Sequence, residues 1–211
     1  ASLVESRSRA SPSAKLADET PPADGAMAVP LGVADVERQC EYALGARSSE
    51  RWTIARDSGG LPSLPGGDGD EREAVDAKSI ALLVSDAPVV VVLRACDRVD
   101  LQAVARERGC ARRQVRFATH PECVAIFGYA PGSVPPVGHR AAAAAVMVDS
   151  ALVAQGAALI RVGGGAIDAH LFVRARDLLA LTRSAAPIAL AIPPAPPAKR
   201  TKEAAFSPPA I

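Results

Sequence analysis

The chain has 211 residues, 49% hydrophobic and 22% charged, with a formal net charge of +1. This composition excludes a fully disordered or collagen-like chain and fits one domain with tails. Near-neutral charge gives no global drive toward nucleic acid or membrane, so any charged site must be local. Aromatics are only 3%, which leaves the core to Val, Leu, Ile and Ala, and no apolar run reaches the roughly 18 residues of a membrane-spanning helix.

Residues 1–33, rich in Ser, Ala and Pro, read as a flexible leader without the order of a secretory signal. Val33–Leu44 predicts a helix, with Val33, Val36, Cys40, Ala43 and Leu44 on one face and Gly45 as its stop. Residues 57–70 are dense in Gly, Pro, Ser and Asp and predict a loop. Lys78–Val84 and Val89–Leu93 predict an antiparallel hairpin turning at Asp86-Ala87-Pro88. Their apolar runs hardly alternate, so both faces of that sheet should be covered.

Asp97–Asp100 predicts a helix start, with carboxylates where the dipole favours them, an apolar stripe of Leu101, Val104 and Ala105, and a stop at Gly109. Val115–Phe117 predicts a short strand. Thr119-His-Pro-Glu122 fits a capping box that opens a helix through Val124, Ile126 and Phe127. Strands are expected at Met147–Val148, Leu159–Val162 and Leu171–Val173, and a closing helix at Asp177–Leu181. Residues 184–211 read as a proline-rich basic tail, with seven prolines from 187 onward and Lys199, Arg200 and Lys202. Proline excludes helix and central strand there, and such a tail should be dispensable for folding. The expected fold is α+β: a mixed, partly closed β-sheet surrounded by helices, within residues 34–183.

Cys40, Cys96, Cys110 and Cys123 form no CxxC pair and have no His at ligand spacing. They read as buried or half-buried thiols in a reducing, cytoplasmic setting, with no metal or other cofactor. Four features could carry chemistry. Lys78 is one of four lysines against 20 arginines, and the other three lie in the tails. A lone ammonium at the start of an apolar strand is costly unless used; a lysine snorkelling at a sheet edge is the alternative. The run Phe127–His139 holds Gly128, Gly132 and Gly138 with Pro131, Pro135 and Pro136. Such a loop is stiff and can present backbone N–H groups as an oxyanion or phosphate cradle, or serve only as a crossover. Gly163-Gly164-Gly165 permits close approach of a ligand or backbone, or is a turn. Finally, seven arginines lie between Arg94 and Arg116. They read either as a phosphate-contacting patch or as a solvated face. No GxSxG elbow and no HExxH motif is present.

In order, these motifs resemble the YbaK/prolyl-tRNA-synthetase-associated domain family. The resemblance rests on Ala77-Lys78-Ser79-Ile80, Gly128-Tyr129, Gly132-x-x-x-Pro136-x-Gly138, Val148-Asp149 with Leu152, Gly163-Gly164-Gly165 and Asp177-Leu178, over about residues 34–183. It implies hydrolysis, in trans, of the ester in mischarged aminoacyl-tRNA, typically alanine or cysteine on tRNA for proline: a second sieve for a small amino acid that a synthetase pocket cannot reject. Lys78 then matches the essential lysine, and the Gly132 amide faces the carbonyl oxygen. Gly128, Tyr129, Ser133, Pro136, Gly138, Asp149, Gly163 and Gly164 would bind substrate, and a positioned water would attack. Some relatives that clear alanine carry a histidine where this chain has glycines. Partners implied are aminoacyl-tRNA and a synthetase, with no membrane. From charge alone, Arg94, Arg98, Arg112, Arg113 and Arg116 are candidates for the acceptor stem. A tRNA-binding module without catalysis and a small-molecule binder remain the competing readings.

Overall fold

The computed structural model describes residues 30–44, 51–56, 74–142 and 144–194. Most of the expected leader, the 57–70 loop, the Gly45 stop and the basic cluster of the tail lie outside the described residues.

Helix α1 spans Val33–Leu44 and buries Val36, Cys40 and Leu44, as its apolar period requires. Strand β1, Trp52–Arg56, follows. The hairpin pairs β2, Val75–Val84, with β3, Ala87–Arg94. Its two-residue turn is Ser85-Asp86, both at positive φ, one step earlier than expected. Ala87 and Pro88 already belong to the strand, because a tight turn with both central residues at positive φ matches the twist of the hairpin.

Residues 98–99 form a short strand, β4, and α2 spans Leu101–Glu107. Asp100 caps α2, its carboxylate accepting from the amides of Gln102 and Ala103 at 2.8 and 3.0 Å. The helix therefore starts later than Asp97. Asp97 is fully buried in the preceding turn, because Arg94 supplies the partner its charge needs. Gly109, at φ 63°, ends the helix. Strand β5, Val115–Phe117, leads into α3, His120–Glu122, and a π-helical turn over Cys123–Phe127 that closes at Gly128. Then come β6 (Ala145–Val148), α4 (Ser150–Val153), β7 (Leu159–Ala166), β8 (Ala169–Arg174), α5 (Leu178–Thr182) and β9 (Ala191–Ile192). The glycine run is not a turn: it continues β7, and the chain reverses at Ile167-Asp168.

The sheet has the order β1-β8-β7-β2-β3-β6, with β5 on β2. It is mixed and mostly open, flanked by helices. Strand β2 forks. Its first residues pair in parallel with β7 (Val75↔Ile160, Asp76↔Arg161), and its last residues pair antiparallel with β5. Both faces of the hairpin are covered, as expected. Ala81, Leu83, Val90 and Val92 join α1 in one core cluster. Leu82, Val84, Val89, Val91 and Leu93 pack with Ala103, Val104 and Ala105 of α2 in another.

The boundary drawn at 183 is corrected by the next segment. The Ile188 amide donates to Val148 O at 3.0 Å, Leu190 is fully buried, and β9 pairs with β4. Pro187 and Pro193 flank this stretch rather than interrupt it, so its amides stay free to bond. The thiols also depart from expectation at one place: Cys40 and Cys123 are buried and Cys110 half-buried, but Cys96 is exposed. Burial, then Glu37 and Glu41, pushes the Cys40 thiol up to about 12, which leaves it unreactive. No helix among the described residues is long and apolar enough to cross a membrane.

Candidate active site

Parallel pairing of Asp76 with Arg161 fixes which side chains share a face. Side chains alternate along a strand, so Lys78 shares the face of Asp76, and Gly163 that of Arg161. The Arg161 Nε donates to Asp76 Oδ1 at 2.6 Å and ties the two strands together before they part. Lys78 Nζ donates to the carbonyl of Ala95 at 2.8 Å, and the Ala95 amide donates to Asp76 O at 2.8 Å. Beside them lies a cavity of about 580 Å³ walled by Asp76, Arg94, Ala95, Cys96 and Gln155 among others. Lys78 adjoins it through Ala95; Gly132 is not among its walls.

The Gly132 loop packs against β7 at Gly163, and its Tyr129, Val134 and Val137 lie in the cluster with α1. A Cβ on Gly163 would stand 2.6 Å from the carbonyl oxygen of Val134, so the absent side chain admits the protein's own loop. Gly164 is likewise closed off by the backbone of Ala169 and His170, 2.9–3.0 Å from its would-be Cβ. The open aminoacyl surface expected of these two glycines is therefore filled by chain.

The loop is held from within. Tyr129 is buried, and its hydroxyl donates to Gly138 O at 2.8 Å; burial, then the Asp35 charge, pushes this phenol up. Ser133 Oγ donates to Ala130 O at 3.0 Å. His139 Nε2 lies 2.9 Å from Pro135 O. A carbonyl only accepts, so this nitrogen carries the proton. Burial pushes the His139 pKa down, against the bond to Pro135. Gly128, Gly132 and Gly138 all sit at positive φ. Gly132 alone of these is exposed, and its amide has no partner among the described residues. Tyr129, Ser133 and Gly138, expected to touch substrate, thus shape the loop, and Gly132 presents an N–H at its exposed tip. Pro136 is buried in the same loop.

Asp149 is buried, and both its oxygens are engaged. Oδ1 accepts from the Ala151 amide at 2.9 Å and Oδ2 from the Leu190 amide at 2.8 Å. It caps α4 and holds the C-terminal segment. A cavity of about 180 Å³ bordered by Arg94, Asp97 and Asp149 lies alongside.

The arginines divide by pairing. Arg94 donates to both oxygens of Asp97, at 2.7 and 3.1 Å. Arg116 does the same to Glu122, at 2.8 Å each. That guanidinium, with the amide and hydroxyl of Thr119, holds the Glu122 carboxyl down at about 2. Arg112 donates to Val115 O at 2.8 Å. Arg98 and Arg113 are exposed.

One candidate escaped the sequence reading as a functional residue. Ser79 Oγ is buried with no hydrogen-bond partner, and such a group calls for an explanation. Its signal was a polar residue within an apolar strand, next to Lys78. Among the described residues, no group of three or more His, Cys, Asp or Glu is placed to hold a metal ion.

The fold resembles solved structures. A candidate trans-editing enzyme for prolyl tRNA synthetase matches with TM-score 0.59 at 22% identity, over 76% of this chain and 96% of that one. A scaffold protein used in computational epitope grafting matches with TM-score 0.58 at 22% identity, over 76% and 96%. A hypothetical protein matches with TM-score 0.56 at 25% identity, over 74% and 98%. No curated protein matches the chain significantly. The model of the aminoacyl-tRNA editing domain matches residues 69–181, a span that runs from just before β2 into α5 and so contains Lys78, the Gly132 loop and the glycine run. The chain belongs to the aminoacyl-tRNA editing domain family.

Proposed function

We propose that this editing domain acts in trans, hydrolysing the ester that joins a wrong amino acid, cysteine or alanine, to tRNA for proline. The observation that carries the reading is the Gly132 amide. It is exposed and has no partner among the described residues, on a loop whose Tyr129 and Ser133 hydroxyls bond its own carbonyls. It is two residues from the carbonyl seated on Gly163, on the strand that pairs with β2 at Asp76, two residues before Lys78. A fixed N–H of this kind stabilises the oxyanion that forms when water attacks an ester carbonyl. The Lys78 ammonium supplies the complementary charge for the terminal ribose and phosphate or the developing negative oxygen, exchanging its bond to Ala95 O for one to substrate. An aminoacyl ester is already activated, so orientation and charge stabilisation suffice without a protein nucleophile. A synthetase would be the source of the mischarged tRNA and a candidate partner.

The test is release of amino acid from alanyl-, cysteinyl- and seryl-tRNA by the purified chain. Release from alanyl- or cysteinyl-tRNA for proline, lost in Lys78→Ala by about 10²-fold or more, is the expected result. Binding of tRNA with no release from any of the three overturns the enzymatic reading in favour of a tRNA-binding module.

A further inference from the structure

The arginine run does not act as one patch, because the structure has already used part of it. Arg94 and Arg116 are each held by a carboxylate through two bonds, and Arg112 by a backbone carbonyl. Arg98, Arg106, Arg108 and Arg113 are exposed, and none forms an ion pair or side-chain hydrogen bond among the described residues. Of the carboxylates in the same stretch, Asp97 is buried against Arg94 and Asp100 caps α2. Only Glu107 offsets the four free charges.

Their placement follows from the register. Lys78 pairs with Leu93, and Leu93 belongs to the cluster under α2, so Lys78 and α2 lie on the same side of the sheet. Arg98 follows the Ala95–Asp97 turn that accepts the Lys78 ammonium. Arg106 and Arg108 stand at the far end of α2. Arg113 lies in the short 3₁₀ turn Arg112–Gln114, whose Gln114 donates to Ser85 Oγ at the hairpin tip. From Lys78 to Ser85 along the strand is roughly 23 Å.

We propose that Arg98, Arg106, Arg108 and Arg113 form a track for the phosphate backbone of duplex RNA, the acceptor stem of the tRNA, leading to the ester end at Lys78. The inference rests on the editing reading above and adds where the rest of the substrate lies. A-form RNA is bound mainly through phosphates, 2′-hydroxyls and shape rather than base edges. A row of guanidiniums with no internal partners suits that chemistry, and its contacts displace counterions.

The experiment uses the triple variant R106Q/R108Q/R113Q in the full chain, with a thermal melt to show that it folds. Binding of uncharged tRNA is titrated against KCl, and hydrolysis is compared on charged tRNA and on a CCA trinucleotide carrying the same ester. The track predicts that the slope of log Kd against log salt falls by about 2–3 for three lost charges. It also predicts that the ratio of kcat/KM on tRNA to kcat/KM on the trinucleotide drops at least tenfold. An R116Q control, which removes an arginine already paired, moves the slope by less than one. A wild-type slope and ratio in the triple variant overturn the track, including the case in which the patch serves an acidic protein instead. If the wild-type chain hydrolyses neither substrate, the editing reading fails separately, and the salt slope still decides the track.

Discussion

Lys78 and His139 show how one residue can be set apart by its surroundings. Lys78 stands out in the sequence because arginine is otherwise the cation of the folded region, and the structure places it on the face where β2 and β7 meet. Truncation to alanine removes a hydrogen bond to Ala95 O from a half-exposed site, which costs about 0.5–1.5 kcal/mol. The large effect should therefore be on hydrolysis rather than on melting temperature, and the two are read on the same preparation. His139 is the opposite case, a half-buried ring serving the loop. Its folded pKa lies below the ordinary 6.5. Above 6.5 both folded and unfolded states are neutral and its contribution is intact. As pH falls below 6.5 the unfolded state takes up a proton the folded state refuses, so stability declines until the folded value is reached. Denaturant midpoints at pH 7.5 and pH 5.5 should differ less in His139→Gln than in the parent chain. An unchanged difference would mean that His139 is not the group that titrates.

Elements with a single strong period were readable from the sequence. The apolar face of α1 and the unbroken apolar runs of β2 and β3 need no partner to be recognised, and the structure puts them where their patterns say. The two-residue strands β4 and β9 could not be read that way, since they exist only because distant segments meet. The glycine run shows a subtler limit. Its composition said that something comes close, but whether ligand or loop was a tertiary fact: Val134 fills the space at Gly163. The arginine run was legible as charge and illegible as function, because Arg94 and Arg116 are taken by carboxylates three and six residues away and Arg112 by a backbone carbonyl. This assigns Gly163 a test of its own. Gly163→Ala drives a Cβ into a backbone carbonyl, so the loop must shift, at about 1–3 kcal/mol. Because the Gly132 amide moves with that loop, kcat for ester hydrolysis should fall even at temperatures where the variant is fully folded by circular dichroism. A folded variant with parental kcat would separate the loop from the chemistry.

At the scale of the whole molecule, the sheet is closed off beyond β6 by the segment after α5. Asp149 is the fastener, with one carboxylate oxygen on the start of α4 and the other on the Leu190 amide, while Leu190 fills the second core cluster beside α2. The prolines of this region mark the ends of the segment rather than its absence from the fold. Cutting the chain at 186 should therefore uncover the Leu82–Leu93 side of the hairpin. Leu190→Ala isolates the packing contribution at about 2–5 kcal/mol, a fall in Tm of about 5–15 °C for a domain of this size. Asp149→Asn keeps one acceptor oxygen and loses the other, with a smaller cost of about 1–3 kcal/mol from the amide left unpaired. Because Leu190 and Asp149 serve the same segment, the double variant should lose less than the sum of the two single losses. Strict additivity by calorimetry would show that the carboxylate and the leucine are not parts of one latch.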